Sequence, residues 1–237
     1  LSLFVNLGLL AYFKYTFFVI GLLNKIPGIQ IEAVNYLAIL GNDFLHTRFD
    51  VSRIILPVGI SFYTFQTISY TLDIYRGKVK PVRRFTDFAF YVSFFPQLVA
   101  GPVVRAAQFI PQLKQKFHLS KDEFGHALFL ILAGLFKKLV IADMLARLVV
   151  DKVFDQPAAY SGLENLFAWY GYGLQIFSDF SGYTDIAIGV SLLFGFRIPV
   201  NFYSPYKATS LTDFWRRWHI SLSSWLRDYL YIPLGGN

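Results

Sequence analysis

Between residues 163 and 198 the chain carries no charge away from the ends of the stretch except in DFSGYTD, residues 179–185. This arrangement constrains the fold more than any other. About 20 apolar residues cross the hydrocarbon core of a bilayer as a helix. The stretch is too long for one ordinary span and too short for two. It predicts a break, and Gly182 is the natural place for it. It also sets Asp179 and Asp185 near the middle of an apolar run. A charge at that depth costs roughly 2.5–3.5 kcal/mol on insertion scales, so each carboxylate must pair, lose its charge or line water. Two readings follow: the wall of a polar site or pathway, or an internal salt bridge or hydrogen-bonded bend.

The rest of the chain has the same character. Hydrophobic residues make up 55% and charged residues 16%, against roughly 25% charged in a typical soluble domain. Residues 1–23 form a first span interrupted only by Asn6 and Lys14, and residues 24–31 form a turn at Pro27-Gly28. Residues 32–50 are modestly apolar and suit a short helix, a partial span or an interfacial segment. Residues 53–75 form a second strong span with Pro57 and Gly59 in its first turns, where they would kink it. Residues 122–154 read as one span running into an interfacial extension, with Lys137, Lys138 and Asp143 inside it. His46, His118 and His126 read as interfacial or surface histidines, since nothing converges on them. The net charge is +7. Its basic residues concentrate in short loops, as in residues 76–84, so the positive-inside effect explains them without nucleic acid and places that loop in the cytoplasm.

Residues 85–112 are apolar but interrupted by Pro96, Pro102 and Pro111; Arg83 and Arg84 lie before residues 95–102, and Arg105, Lys114, Lys116 and Lys121 lie after them. A full crossing would put one basic cluster on the wrong side. A broken, re-entrant element over residues 95–102 satisfies both, because irregular backbone at depth is tolerated where protein covers it. The chain has no Cys, and it contains no phosphate loop, HExxH, GxSxG or nucleic-acid motif. No metal and no bound cofactor are expected.

Residues 209–237 gather three Trp, three Arg, two Asp and one His into one predicted helix. On a 3.6-residue period, Trp215, Trp218, His219, Leu222, Trp225, Leu226 and Tyr229 share a face, while Arg216, Arg217, Ser224, Arg227 and Asp228 take the rest. Ser210 caps its start, with Asp213 as a weak capping box. Asp213 and Arg217 are spaced as a helix ion pair. Pro233 and Gly235-Gly236 stop it. From pattern alone, His219 in an aromatic stripe reads as a hydrogen-bonded core residue.

Several blocks resemble the membrane-bound O-acyltransferase family, in the subgroup around the bacterial alginate O-acetyltransferase membrane component. They are LPVGISFYTFQTISYTLDIYRG (56–77), SFFPQLVAGPVVRAAQFIPQL (93–113), GLFKKLVIADMLA (134–146) and the whole of residues 175–237. The resemblance implies an all-α, polytopic membrane protein, a helical funnel with broken or re-entrant segments, in the bacterial cytoplasmic (inner) membrane. Residues 1–237 are then a single membrane domain and a fragment of a longer chain, inactive alone and lacking the family's second, downstream His. The implied reaction is O-acyl transfer, with acetyl favoured, from acetyl-CoA or another acyl thioester on the cytoplasmic side. The implied acceptor is a hydroxyl of an extracytoplasmic polysaccharide such as alginate or a cell-wall polymer, with a periplasmic acyltransferase as a further partner.

The family His in the RWHIS context matches His219, which becomes the candidate catalytic residue; the resemblance implies the downstream His as the base, with His219 orienting, sharing a proton or donating to the oxyanion. Asp179, Asp185, Asp213, Trp215, Arg216, Arg217, Trp218 and Arg227 become candidates for the wall or support of the site. Trp225 is a further candidate for the tunnel wall. The alternative is a non-catalytic transporter or a scaffold of an acyl-export complex, which broken helices and intramembrane carboxylates also suit. Because the chain has no native Cys, single cysteines at positions 83 and 114 test the re-entrant element directly. Both should react with a membrane-impermeant thiol reagent from the same side; labelling from opposite sides would replace the re-entrant element with a full crossing.

Overall fold

The computed structural model describes residues 1–98 and 101–236. Every regular element among them is helical. The first helix, α1, covers Ser2–Leu23 and contains one π turn, Ala11–Tyr15. It is long and apolar enough to cross a membrane. It runs antiparallel to α3 (Ile60–Tyr75), since Ser2 Oγ meets Thr71 Oγ1 at 3.1 Å and Lys14 Nζ meets Ser61 Oγ at 3.2 Å. Between them lies α2 (Tyr36–Leu45), capped by the Asn35 side chain, which accepts from the Ala38 N–H. Pro57 and Gly59 precede α3 rather than kinking its first turns. Gly59 is its left-handed N-cap (φ 77°), and a Cβ there would stand 2.4 Å from the Leu98 carbonyl.

After α4 (Phe85–Ser93) the chain leaves regular structure except for the short turns Phe95–Gln97, Ala106–Phe109 and Ile110–Lys114. This is the segment expected to be broken. Residues 99 and 100 of it lie outside the described residues, but Pro96, Gln97, Val103 and Val104 are buried, so protein covers this irregular backbone. Val103 and Val104 face opposite ways, as successive residues of extended chain do. Val103 joins Ile68, Trp225 and Tyr229 in one core cluster. Val104 joins Tyr91, Phe94, Ala106, Phe109, Ala187 and Ile198 in the other. Phe196 packs against this second cluster, stacked on Phe109 at 4.9 Å.

The long helical pattern over residues 122–154 is realised as α5 (Lys121–Leu135), started by a full Ser120–Glu123 capping box. Its path continues through π segments at Phe136–Ala142 and Ala146–Val150 to Asp151–Asp155. A second capping box, Ser161–Glu164, starts α6, Gly162–Leu193. The expected break at Gly182 is absent: α6 is continuous for 32 residues, or about 48 Å at 1.5 Å per residue. Gly182 is there for a different reason. A Cβ on it would lie 2.7 Å from the Gly134 carbonyl, and a Cβ on Gly134 would lie 2.5 Å from the Gly182 carbonyl. Seven residues on, Gly189 meets the Ala127 carbonyl at 2.7 Å in the same way. The two helices touch backbone to backbone, and the buried residues of α6 are all small: Ala168, Ser178, Ser181, Gly182, Thr184, Ala187, Gly189 and Ser191.

The C-terminal region also departs from expectation. Residues 209–237 do not form one helix. The chain makes α7 (Leu211–Arg217), breaks at Trp218 and His219, and resumes as α8 (Ile220–Leu226) with a final π turn, Arg227–Tyr231. The shared face expected of Trp215, His219 and Trp225 therefore does not exist. Ser210 does cap α7 by accepting from the Asp213 N–H, while Asp213 reaches back to the Thr209 N–H instead of completing a box.

Substitution at the α5–α6 contact tests its closeness. Gly182→Val should destabilise the protein by about 1–3 kcal/mol through overpacking, read as a lower thermal midpoint in detergent. Gly125→Ala, on α5 but with nothing within 4 Å, should leave the midpoint unchanged or raise it.

Candidate active site

The break between α7 and α8 is made by one backbone conformation. His219 sits at φ 43°, ψ 54°, in the left-handed region. Such a residue is costly unless its surroundings over-determine it, and such residues cluster at functional sites. Here the non-helical segment 198–203 supplies the constraint. The Tyr203 N–H donates to the Arg217 carbonyl and the Ile220 N–H to the Asn201 carbonyl, both at 2.9 Å. The Asn201 side chain accepts from the Ser221 N–H at 3.1 Å. Asn201 thus caps the first turn of α8 from another segment, satisfying donors that a helix start leaves free.

The His219 side chain is 8% exposed. Its Nδ1 lies 3.0 Å from Asn201 Oδ1. Its ring meets the edge of Phe180 at 4.7 Å and lies roughly parallel to Phe202 at 6.5 Å. Ser221 Oγ also reaches Asn201 Oδ1, at 2.9 Å, and receives the Val103 N–H at 2.9 Å. Two parts of the chain therefore converge on this ring, α6 through Phe180 and the segment holding Asn201 and Phe202, while the covered irregular segment reaches the adjoining Ser221 through Val103. None of Phe180, Asn201, Phe202 and Ser221 was expected from the sequence. The available signal was the isolated Asn in the apolar stretch IPVNFY and the Ser two residues after His219.

The expected support residues distribute unevenly. Trp218 lies beside the site in an aromatic nest, 5.1 Å from Phe202 and stacked on Phe214 at 5.6 Å. Asp213 and Arg217 form the expected helix ion pair at 2.9 Å, and Arg217 also covers the Tyr203 ring. Trp215 and Arg216 are exposed on α7. Arg227 pairs with Asp228 at 2.8 Å, and Asp228 also holds Arg105 at 2.6 Å. Trp225 is buried away from His219, donating from Nε1 to the Phe65 carbonyl.

Asp179 and Asp185 are in ion pairs, which is the internal salt-bridge reading. Lys138 reaches Asp179 at 2.6 Å and Asp143 at 3.1 Å, and Lys137 reaches Asp185 at 2.5 Å. Both lysines lie in the π segment Phe136–Ala142 and flank the Gly182 contact, where a glycine Cβ would meet Lys137 Cβ at 3.0 Å. The pairs brace the α5–α6 interface. Lys137→Met should cost about 1–3 kcal/mol by leaving the Asp185 carboxylate unpaired, and adding Asp185→Asn should return much of that loss in thermal midpoint. A double-variant loss equal to the sum of the Lys137→Met and Asp185→Asn losses would show that the two groups are not coupled.

Residues 83–237 match the sequence model of the membrane-bound O-acyltransferase family. The chain is 44% identical over 240 residues to a probable alginate O-acetylase AlgI of Pseudomonas aeruginosa, an alignment covering 100% of this chain and 42% of that protein. It is 39% identical over 263 residues to a peptidoglycan O-acetyltransferase of Helicobacter pylori, covering 100% of the chain and 46% of the relative. A teichoic acid D-alanyltransferase of Bacillus subtilis is 32% identical over 181 residues, covering 74% and 45%. The chain spans less than half the length of these relatives. The family match includes both His219 and the Asn201 segment that holds it, and the chain belongs to the membrane-bound O-acyltransferase family.

Proposed function

We propose that the protein containing this chain is a multi-pass O-acyltransferase of the bacterial cytoplasmic membrane. It moves an acyl group, acetyl in this reading, from a cytoplasmic thioester such as acetyl-CoA to hydroxyls of an extracytoplasmic polysaccharide or cell-wall polymer. The observation that carries the reading is the geometry of His219: a buried imidazole at a left-handed helix break, held by hydrogen bonds from a separate segment, inside the family-matched region. Membrane embedding is supported by an inverted distribution of side chains. Phe129, Leu132, Phe167 and Trp169 are exposed, while Thr64, Gln66, Asp73, Gln97, Thr184 and Asn201 are buried. Lipid favours such an arrangement, because polar groups there must be satisfied inside the protein.

The chemistry needs few parts. The acceptor hydroxyl oxygen bonds to the thioester carbonyl carbon as its proton passes to an imidazole of the site. The tetrahedral intermediate collapses, the C–S bond breaks, and the proton returns to the departing thiolate. The apolar rings of Phe180 and Phe202 beside His219, with Trp218 packed on Phe202, keep water from competing for the acyl group. Asp213, Arg217 and Trp218 hold the wall on which His219 is mounted. A second family His downstream of this chain completes the site in this proposal, and a periplasmic acyltransferase receives or finishes the transfer.

In the complete gene product, His219→Ala should lower acyl transfer by about 10²–10⁴-fold, the range for loss of a proton-transfer group, with unchanged protein in the membrane. Unchanged acyl transfer would remove His219 from the site. Vesicle flux of an acylated compound without transfer chemistry would favour the transporter reading.

A further inference from the structure

The polar atoms around His219 form a chain whose direction is fixed from one end. The Val103 N–H can only donate, and it donates to Ser221 Oγ. The Ser221 hydroxyl then directs its own hydrogen to Asn201 Oδ1. The Ser221 N–H donates to the same oxygen. The backbone donor fixes the orientation of the amide, since a flipped Asn201 would set its NH2 group against the Ser221 N–H. Oδ1 accepts only, so His219 Nδ1, 3.0 Å away, carries a hydrogen. In the neutral imidazole the lone pair is therefore on Nε2. The described residues give Nε2 no hydrogen bond.

We propose that Asn201 is a positioning residue that holds His219 in the Nδ1–H tautomer, and so makes Nε2 the atom that accepts the proton in acyl transfer. The inference rests on the acyltransferase reading above and gives its imidazole a definite role. A neutral His219 held this way has no hydrogen left with which to stabilise an oxyanion; it enters the reaction as a proton acceptor. An amide suits position 201 for a physical reason. Asn201 is 1% exposed, and an amide oxygen there supplies an acceptor without the desolvation cost of a buried carboxylate. The same oxygen caps α8, so the tautomer of the ring and the geometry of the helix break are set by a single atom. Asn201 Nδ2 is buried without a partner among the described residues, which shows that the acceptor end of the amide is the engaged one.

The experiment uses the complete gene product, purified in detergent, with its histidines labelled with ¹⁵N and the His219 signals assigned by loss in His219→Gln. Wild-type His219 should show a protonated Nδ1 and an unprotonated Nε2. Asn201→Ala should shift the ring to the other tautomer or to a mixture. It should also lower kcat by about 10–100-fold, the size of effect seen when the orienting partner of a metal-bound His is removed, with KM for the thioester essentially unchanged. Asn201→Asp, which keeps the acceptor, should keep Nδ1–H and recover part of kcat. A wild-type ring protonated at Nε2 would overturn the proposal, and so would unchanged kcat in Asn201→Ala. If Asn201→Ala does not accumulate, the wild-type spectrum and Asn201→Asp decide the matter, an Nε2–H ring in either being the overturning result. A wild-type protein with the Nδ1–H ring that transfers no acyl group would overturn the enzyme reading alone and leave the hydrogen-bond assignment standing.

Discussion

The backbone contact between α5 and α6 is the constraint on which the remaining structure depends. Two glycines, Gly134 and Gly182, let the helices approach until only a carbonyl separates them. Ion pairs of Lys137 with Asp185 and Lys138 with Asp179 brace the contact on either side. With α6 fixed, its later residues are fixed too. Phe180 is presented to His219, and Ala187 is presented to the aromatic cluster of Tyr91, Phe94 and Phe109. A helix of this length has little stiffness of its own against tilting. The small-residue face gives it one orientation relative to α5, because van der Waals packing between close backbones falls off steeply with separation.

The second organising element is the covered, irregular stretch that includes Val103 and Val104. It divides the interior into two clusters and sends one backbone N–H to Ser221. Regular helices alone would leave His219 on a simple rod. The irregular stretch and the Asn201 segment instead supply donors and acceptors where the α7–α8 break would otherwise leave backbone groups unpaired, in an interior where such groups are expensive.

Much of the helical content was legible from hydrophobic runs and caps. The Ser210 cap and the Asp213–Arg217 pair were read at the level of single residues. What was not legible has a common cause. Gly182 was read as a break because glycine permits breaks, yet glycine also permits close approach, and only the partner helix decides between them. Pro57 and Gly59 were placed inside a helix that begins just after them, since an apolar run does not show where backbone pairing starts. The α7–α8 break is invisible to periodicity because the stretch from Trp215 to Tyr229 satisfies a helical pattern throughout. The break comes from hydrogen bonds offered by residues far away in sequence. For the same reason sequence reading reached His219, the proposed site residue, and passed over Asn201, whose proposed importance lies in what it accepts and not in its own chemistry.

The left-handed backbone at His219 has a consequence for how this position can vary. Side chains that adopt that conformation at low cost are few: Gly, and the short polar Asn and Asp, with His among the more tolerant of the rest. Branched residues such as Val or Ile are disfavoured there before any chemistry is considered. Replacement at this site is therefore filtered twice, first by dihedral angles and then by the proton transfer proposed for it. Descendants that lose the imidazole yet keep the fold are channelled toward small amides, carboxylates or glycine.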